Sequence, residues 1–531
     1  MRIFKHMTGA VIGLLMASPL MASTPFAAPQ APTPSPQPSA PMAEPENDKS
    51  ETDKKDTSKF SDRRKLLDTI RQGVVIIKTK AQIGGSGDAA SWSGTGFIIH
   101  LGKGLIATNH HVVGNTVCTY EIKFSDGTTA PAKLAYFDPL HDFAFLRVDP
   151  EKLPKKSLAL ELSDQSPKVN DTVYSMGNSA NDEFSTFKGT VFSIYENMGP
   201  FSDQSFRFSG LTVGGASGSP VFSEDGKVVG IICGGKFVSG AALPIQYVKD
   251  ALKYVQEKTT PPRYSIGTTL TYGDLRDSVE AGLIPSKAAE EYLTAFPEAN
   301  NKVLIVDSRA AGSEALTKLE GGDIIWKIDG QLIGPELYKF EAILNQSKVK
   351  DTSILENLVG SGKNREITLH VYRGGQLKEI KITPYVLTTY KQQHFIRFAG
   401  ATWFADNEQS RLMIGDLGPS VYMSPSDSVS PFKELLSNMP LFPSQPIKIT
   451  AIEGYKLTNL EDLEKAIKAI KSKRILVVKY VDLIGTLGFD AMLLSDRLER
   501  QGLVKYQAEF DTPKFYRFDT DKEQWGIQEI K

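Results

Sequence analysis

At 531 residues, with 40% hydrophobic and 23% charged side chains, the chain is long enough for more than one globular domain. Lys plus Arg number 61 against 62 Asp plus Glu, a formal net charge of -1, so no overall field draws it to nucleic acid. Two cysteines, Cys118 and Cys233, exclude a disulfide-dense scaffold and leave their pairing open; the histidines and cysteines show no metal-ligand spacing, and neither metal nor other cofactor is expected.

The chain opens with Arg2 and Lys5, an apolar run from Met7 to about Leu20, and small residues at Ala22, Ser23, Ala27 and Ala28. That layout predicts a signal peptide over 1–27, with a retained anchor as the alternative. The run is short for a bilayer span and no later stretch is apolar enough, so the mature chain is expected to be periplasmic or secreted, with no integral membrane span. Residues 28–61, proline-rich and then charged from Glu44 to Lys59, read as a disordered linker.

A short helix is expected from Asp62 to Arg71. Short apolar strands follow: Val74–Thr79, Gly96–Ile99, Gly104–Thr108, Tyr120–Phe124, then pieces within Ala132–Val148, Thr172–Met176, Gly189–Ile194, Ser205–Phe208, Pro220–Phe222 and Lys227–Cys233. Turn signals such as Ser125-Asp126-Gly127 separate them, which argues for an all-β barrel or sandwich. A helix over Ile245–Glu257 closes this unit, taken as 62–258, and Thr259-Thr260-Pro261-Pro262 marks its boundary. Residues 262–385 and 394–505 each mix strands and helices, and 506–531 reads as a tail.

Three strings in the first unit carry chemistry. Thr108-Asn109-His110-His111-Val112-Val113 places a histidine where an apolar strand ends. His141-Asp142-Phe143-Ala144 opens a doubly apolar strand with a carboxylate, which is costly unless something donates to it. Gly214-Gly215-Ala216-Ser217-Gly218-Ser219-Pro220 sets a serine among residues too small to block a substrate backbone. Alone, each has a bland reading: a core histidine, a strand-edge carboxylate, a plain turn. Together, in the order His, Asp, Ser, they suit a nucleophilic serine with an imidazole base that the aspartate orients. The N–H groups of Gly215 and Ser217 are the expected oxyanion donors.

With these strings, and with Ser93-Gly94-Thr95-Gly96-Phe97, Met176-Gly177-Asn178, Lys188-Gly189-Thr190-Val191, Val228-Val229-Gly230-Ile231 and Ala242-Leu243-Pro244-Ile245, the unit resembles the trypsin-like domain of the HtrA/Deg family of exported serine proteases. The resemblance implies a mainly β chain, a chymotrypsin-like double β-barrel followed by α+β PDZ-like domains. It makes His111, not His110, the base, with Asp142 and Ser217. Two strings depart from the family: Gly-Ala-Ser-Gly-Ser stands for Gly-Asn-Ser-Gly-Gly, and Arg207–Leu211 for a Gln-Thr-Asp-Ala-like stretch. Leu211, six residues before the nucleophile, would floor the primary pocket, with Ile232, Cys233, Gly234 and Gly235 along its wall. An apolar Leu211 disfavours cleavage after Arg or Lys and favours small or medium apolar side chains.

Val303–Val306, Ala310–Ala315, Gly321-Gly322-Asp323-Ile324-Ile325 and Ile367–Tyr372 look like a PDZ domain over 262–385. Its carboxylate loop would be Tyr264-Ser265-Ile266-Gly267, and the long connection Leu283–Lys302 is a candidate cover for its groove. A degenerate second PDZ-like unit is expected over 394–505, led by Arg397-Phe398-Ala399-Gly400. By resemblance the chain is an exported endopeptidase of unfolded or damaged envelope proteins that binds protein C-termini and forms trimers or larger homo-oligomers. The rival reading is a non-proteolytic chaperone or peptide-binding scaffold with a resting or inactive protease domain.

Overall fold

The computed structural model describes residues 62–531 except 82–90, 115–116, 139, 199–203, 211, 237, 311–312, 347–365, 387–393, 406–419, 426–429, 433–446, 471–472, 482–498, 507–511 and 520. The expected signal peptide and linker lie outside the described residues, as does Leu211. After a helix α1 at 62–71, β1 (Val74–Ala81), β2 (Ser91–His100), β3 (Leu105–Thr108), β4 (Cys118–Lys123), β5 (Thr129–Asp138) and β6 (Phe143–Val148) close a barrel in the order β1-β2-β3-β6-β5-β4. A second barrel, β10-β11-β12-β9-β8-β7, is built from β7 (Thr172–Ser179), β8 (Asp182–Glu196), β9 (Ser205–Ser209), β10 (Pro220–Ser223), β11 (Val228–Lys236) and β12 (Ser239–Pro244). Closure leaves no exposed sheet edge in either.

The continuous apolar runs have a direct cause. Val75, Ile77, Ile98, Ile106 and Leu146 fill the first barrel. Their neighbours Val74, Ile76, Phe97, Leu105 and Phe145 point the other way and join Met176, Phe222, Ile231 and Leu243 in the seam between the barrels. A strand buried on both faces keeps no polar alternation. A one-turn helix α2 (His110–Val113) follows β3, and α3 (Gln246–Gln256) lays Tyr247, Val248, Ala251 and Val255 against the seam.

Next, β13 (Tyr264–Ser265) pairs with β20 (Tyr385–Val386). A sheet of order β14-β15-β16-β18-β19 lies between them in the chain: β14 (Thr268–Asp274), β15 (Lys302–Arg309), β16 (Ile324–Ile328), β18 (Ile367–Arg373) and β19 (Gln376–Ile382), with β17 (Gln331–Leu332) on β16. Helices α4 (Leu275–Glu280), α5 (Ser286–Ala295), α6 (Ala315–Lys318) and α7 (Leu337–Gln346) flank it. Leu304, Val306, Ile325 and Ile328 face Leu337, Phe340 and Leu344 of α7. The alternate residues Val303, Ile324 and Trp326 face Ala289 and Tyr292 of α5. The long connection therefore covers the sheet face opposite α7, and not the groove beside α7 for which its length made it a candidate.

The last sheet runs β27-β26-β24-β23-β22-β21-β28-β29, with β25 on β24. Its strands are β21 (His394–Phe398), β22 (Ala401–Ala405), β23 (Val421–Pro425), β24 (Ile447–Ile452), β25 (Tyr455–Lys456), β26 (Ile475–Val481), β27 (Glu499–Lys505), β28 (Lys514–Asp519) and β29 (Gln524–Glu529). Helix α8 (Leu460–Ile470) seats Leu460, Leu463, Ala466, Ile467 and Ile470 in its core. The stretch expected as a tail, 506–531, is a correction: β28 and β29 continue this sheet through β21, and residues 512–531 belong to the unit.

Candidate active site

The histidine string was expected at a strand-to-turn junction; it forms the single turn α2 after Asn109. So short a helix needs outside help for its last carbonyls. Trp92 Nε1 and Thr79 Oγ1 both donate to the Val112 carbonyl at 2.8 Å, and the Tyr120 hydroxyl donates to that of Val113 at 3.0 Å. His111 is thereby fixed at the rim, its side chain 31% exposed.

Asp142 ends the turn before β6 at φ 52, a left-handed conformation tolerated where the surroundings hold it. Asn109 Nδ2 supplies part of that hold, donating to the Asp142 carbonyl at 2.8 Å. The carboxylate is buried and doubly engaged: Oδ1 accepts the His111 backbone N–H at 2.9 Å, and Oδ2 lies 2.7 Å from His111 Nδ1. That geometry places the ring proton on Nδ1 and leaves Nε2 as the acceptor nitrogen. His110 turns elsewhere: its ring stacks on Phe137 at 5.1 Å, and burial pushes its pKa down.

The serine loop approaches from the second barrel. Gly215 and Gly218 stand at φ 92 and 85, and an added Cβ would lie 2.1 Å from the Asn178 carbonyl oxygen and 1.9 Å from that of Thr95. The loop's carbonyls are tied down: that of Gly214 accepts from Ala180 N–H at 2.9 Å, that of Gly215 from Thr95 Oγ1 at 2.9 Å, and that of Ser217 from Thr95 N–H at 2.8 Å. The N–H groups of Gly215 and Ser217 donate to nothing among the described residues. Two N–H groups without a partner among the described residues, on one loop, suit an anion. A Cβ added at Gly94 would meet Val112 Cγ1 at 2.7 Å and the Ser217 carbonyl oxygen at 3.3 Å, so the histidine helix and the serine loop flank one glycine. A hydrogen bond between a serine hydroxyl and its base often tightens only with substrate present.

Of the expected pocket wall, Ile232 turns its side chain into the second-barrel core, and Cys233 is 1% exposed, its thiol pKa raised by burial and then by the Asp142 charge. The accessible part is Gly234 and Gly235. A Cβ on Gly235 would lie 1.8 Å from Thr212 Oγ1, and one on Gly234 would lie 3.3 Å from the Met198 methyl. In the expected carboxylate loop, Tyr264 N–H donates to Asn345 Oδ1 and Gly267 N–H to Ser265 Oγ, while Ile266 N–H has no acceptor among the described residues. His141 is buried; its Nε2 lies 3.0 Å from Glu341 Oε2 on α7, and its ring stacks on Tyr247. No group of three or more His, Cys, Asp or Glu among the described residues is placed to hold a metal ion, and no helix there is long and apolar enough to cross a membrane.

Sequence reasoning gave no role to Thr95 or Asn109. Both sit inside the strings that marked the site, yet their partners, Gly215, Ser217 and Asp142, are far away in the chain. Their only signal was membership of strings that carry the family resemblance.

Residues 94–231 match the family of trypsin-like peptidase domains. Protease Do-like 7 of Arabidopsis thaliana is 27% identical over 362 residues, 64% of this chain and 31% of that protein. The pro-apoptotic serine protease NMA111 of Chaetomium globosum is 26% identical over 398 residues, 73% of this chain and 36% of that protein. The chain thus spans about a third of the length of these curated relatives. Among solved structures, the HtrA-type protease AlgW with tripeptide is 19% identical and covers 61% of this chain and 97% of that one, with a TM-score of 0.44. By sequence the chain is similar to Do-like and NMA111 serine proteases, and residues 94–231 match a trypsin-like peptidase domain.

Proposed function

We propose that this chain is a serine endopeptidase in which Ser217 is the nucleophile, His111 the general base and Asp142 its orienter. The observation that carries the reading is the double hold of Asp142 on His111, through the backbone N–H at 2.9 Å and Nδ1 at 2.7 Å. With its proton on Nδ1, the ring accepts the Ser217 hydroxyl proton at Nε2 as Oγ adds to the peptide carbonyl. The oxyanion takes the N–H groups of Gly215 and Ser217, a contribution of about 3–4 kcal/mol for each such donor. His111 then passes the proton to the leaving amine, and water releases the acyl group by the same route.

The substrates proposed are unfolded or damaged proteins of an exported compartment, cleaved after small or medium apolar residues. The PDZ-like units hold substrate C-termini or regulate the site, in a homo-oligomer. Labelling by a fluorophosphonate probe tests the chemistry: labelling of the parent and none of Ser217→Ala supports it. A parent that stays unlabelled even with unfolded protein added refutes it. For the rival reading, a scaffold with a resting protease domain, the unlabelled parent is the expected result.

A further inference from the structure

We propose that Thr95 is a positioning residue for the oxyanion donors, its hydroxyl holding the Gly215 peptide so that the N–H groups of Gly215 and Ser217 converge. This deepens the peptidase reading above and rests on it. Thr95 lies on β2, in the first barrel, and is fully buried. It nevertheless contacts three other segments. Its N–H donates to the Ser217 carbonyl at 2.8 Å. Its hydroxyl donates to the Gly215 carbonyl at 2.9 Å and accepts the Asn178 N–H at 3.0 Å. Its carbonyl accepts the Thr108 hydroxyl at 2.7 Å.

The direction of the hydroxyl proton follows from these partners. Asn178 N–H is a fixed donor, so it occupies a lone pair of Thr95 Oγ1, and the single hydroxyl proton goes to the Gly215 carbonyl. The peptide units on both sides of the 216–217 unit are then held by one residue: 215–216 by the Thr95 hydroxyl and 217–218 by the Thr95 N–H. The 216–217 unit carries the Ser217 donor, and its orientation is set between those two anchors. The 214–215 unit, which carries the Gly215 donor, is anchored separately by the Ala180 N–H on the Gly214 carbonyl. Without the hydroxyl the 215–216 unit loses the bond on its own carbonyl, Gly215 offers little steric resistance to its rotation, and that rotation carries the adjoining Ser217 N–H away from the point where it converges with the Gly215 N–H. A displacement of about 1 Å of such a group costs about 100-fold in rate.

Thr95→Val keeps the shape and removes the hydroxyl; Thr95→Ser keeps the hydroxyl and removes a methyl. In the full chain, Thr95→Val is expected to lower kcat for a peptide substrate and the rate of fluorophosphonate acylation by about 100-fold, with KM within about twofold. Thr95→Ser is expected to return most of that rate although it packs less well, which a merely structural role does not predict. The pH midpoint of the rate is expected to stay in place, because the His111–Asp142 pair is untouched. If Thr95→Val does not fold, Thr95→Ala removes the same hydroxyl and is assayed below its own unfolding temperature. A hydroxyl-free variant that acylates within about threefold of the parent overturns the proposal, as does a Thr95→Ser variant as slow as Thr95→Val. A parent that does not acylate at all sinks the peptidase reading instead, so the two failures are separate.

Discussion

Replacing Asp142 by Asn changes one atom's chemistry and almost none of the shape. The carboxylate accepts two hydrogen bonds from the same residue, His111 N–H at Oδ1 and His111 Nδ1 at Oδ2. An amide has a single oxygen and an NH2 group, so it cannot accept both. The backbone N–H is an obligatory donor and takes the oxygen. The NH2 then faces Nδ1, which must become the acceptor, and the ring proton moves to Nε2. The nitrogen that should take the Ser217 proton is then already protonated. In triads of this kind the loss is about 10⁴-fold in kcat, or about 5.4 kcal/mol in the barrier. We expect Asp142→Asn to retain the parent's Tm within a few degrees and to fall by that factor in steady-state hydrolysis of a peptide substrate near neutral pH. Activity within tenfold of the parent would refute the tautomer argument and the role given to Asp142.

Two further outcomes follow from buried polar groups elsewhere in the protease unit. Ser219, which stands where the family has glycine, is 1% exposed and its Oγ has no hydrogen-bond partner among the described residues. A buried unsatisfied hydroxyl costs about 1–3 kcal/mol, so Ser219→Ala should raise Tm, and a lower Tm in scanning calorimetry would count against this. Asp138 is wholly buried and takes Arg263 Nε and Nη2 at 3.0 and 2.8 Å. Burial opposes its charge, yet Arg263 and then His141 outweigh that and hold its pKa at about 2, below the ordinary 3.8. A lowered pKa contributes stability that is complete above about 3.8 and disappears as pH falls through about 2. Arg263→Met should therefore cost about 3–5 kcal/mol near neutral pH, and the Tm gap to the parent should narrow through that acid window. A gap independent of pH would refute the pairing.

The protease unit was legible because its chemistry and its packing leave local marks. Glycines flank Ser217 where positive φ and close backbone contact demand them, and Asp142 interrupts an otherwise apolar stretch. The helix α2 was not legible, since His-His-Val-Val is a poor helical sequence; bonds from Thr79, Trp92 and Tyr120 outweigh that propensity. Nor was the face taken by α5, because length alone does not say which of Leu304 or Val303 a connection will cover. The hairpin β28–β29 was read as a tail because its stabilising partners, β21 and the first barrel, lie far upstream. Such non-local pairing leaves no periodic signal within the segment itself.

That hairpin bears on how the two PDZ-like units divide their work. A peptide that joins a sheet as an extra strand needs an unpaired edge. In the first unit β14 ends its sheet, with β15 on one side only. In the second, the corresponding strand β22 is already paired with β21 across a two-residue turn, Ala399 and Gly400, both at positive φ. The leading stretch Arg397–Gly400 forms a hairpin, and the chain's own strand β21 occupies the edge of β22. From β21 the sheet runs on into β28 and β29, which place Phe518 and Trp525 against the first-barrel cluster. Glu523 meets Arg147 of β6 there, Oε1 lying 2.7 Å from Nε. The second unit thus packs against the barrel that is flanked by His111 and Asp142. Glu523→Gln removes the charge facing a largely buried guanidinium, at a cost approaching the roughly 3–5 kcal/mol of a broken buried pair. It should lower Tm and leave the affinity for a C-terminal peptide unchanged. Loss of peptide affinity at constant Tm would instead assign the second unit a binding role, against the strand pairing that fills its edge.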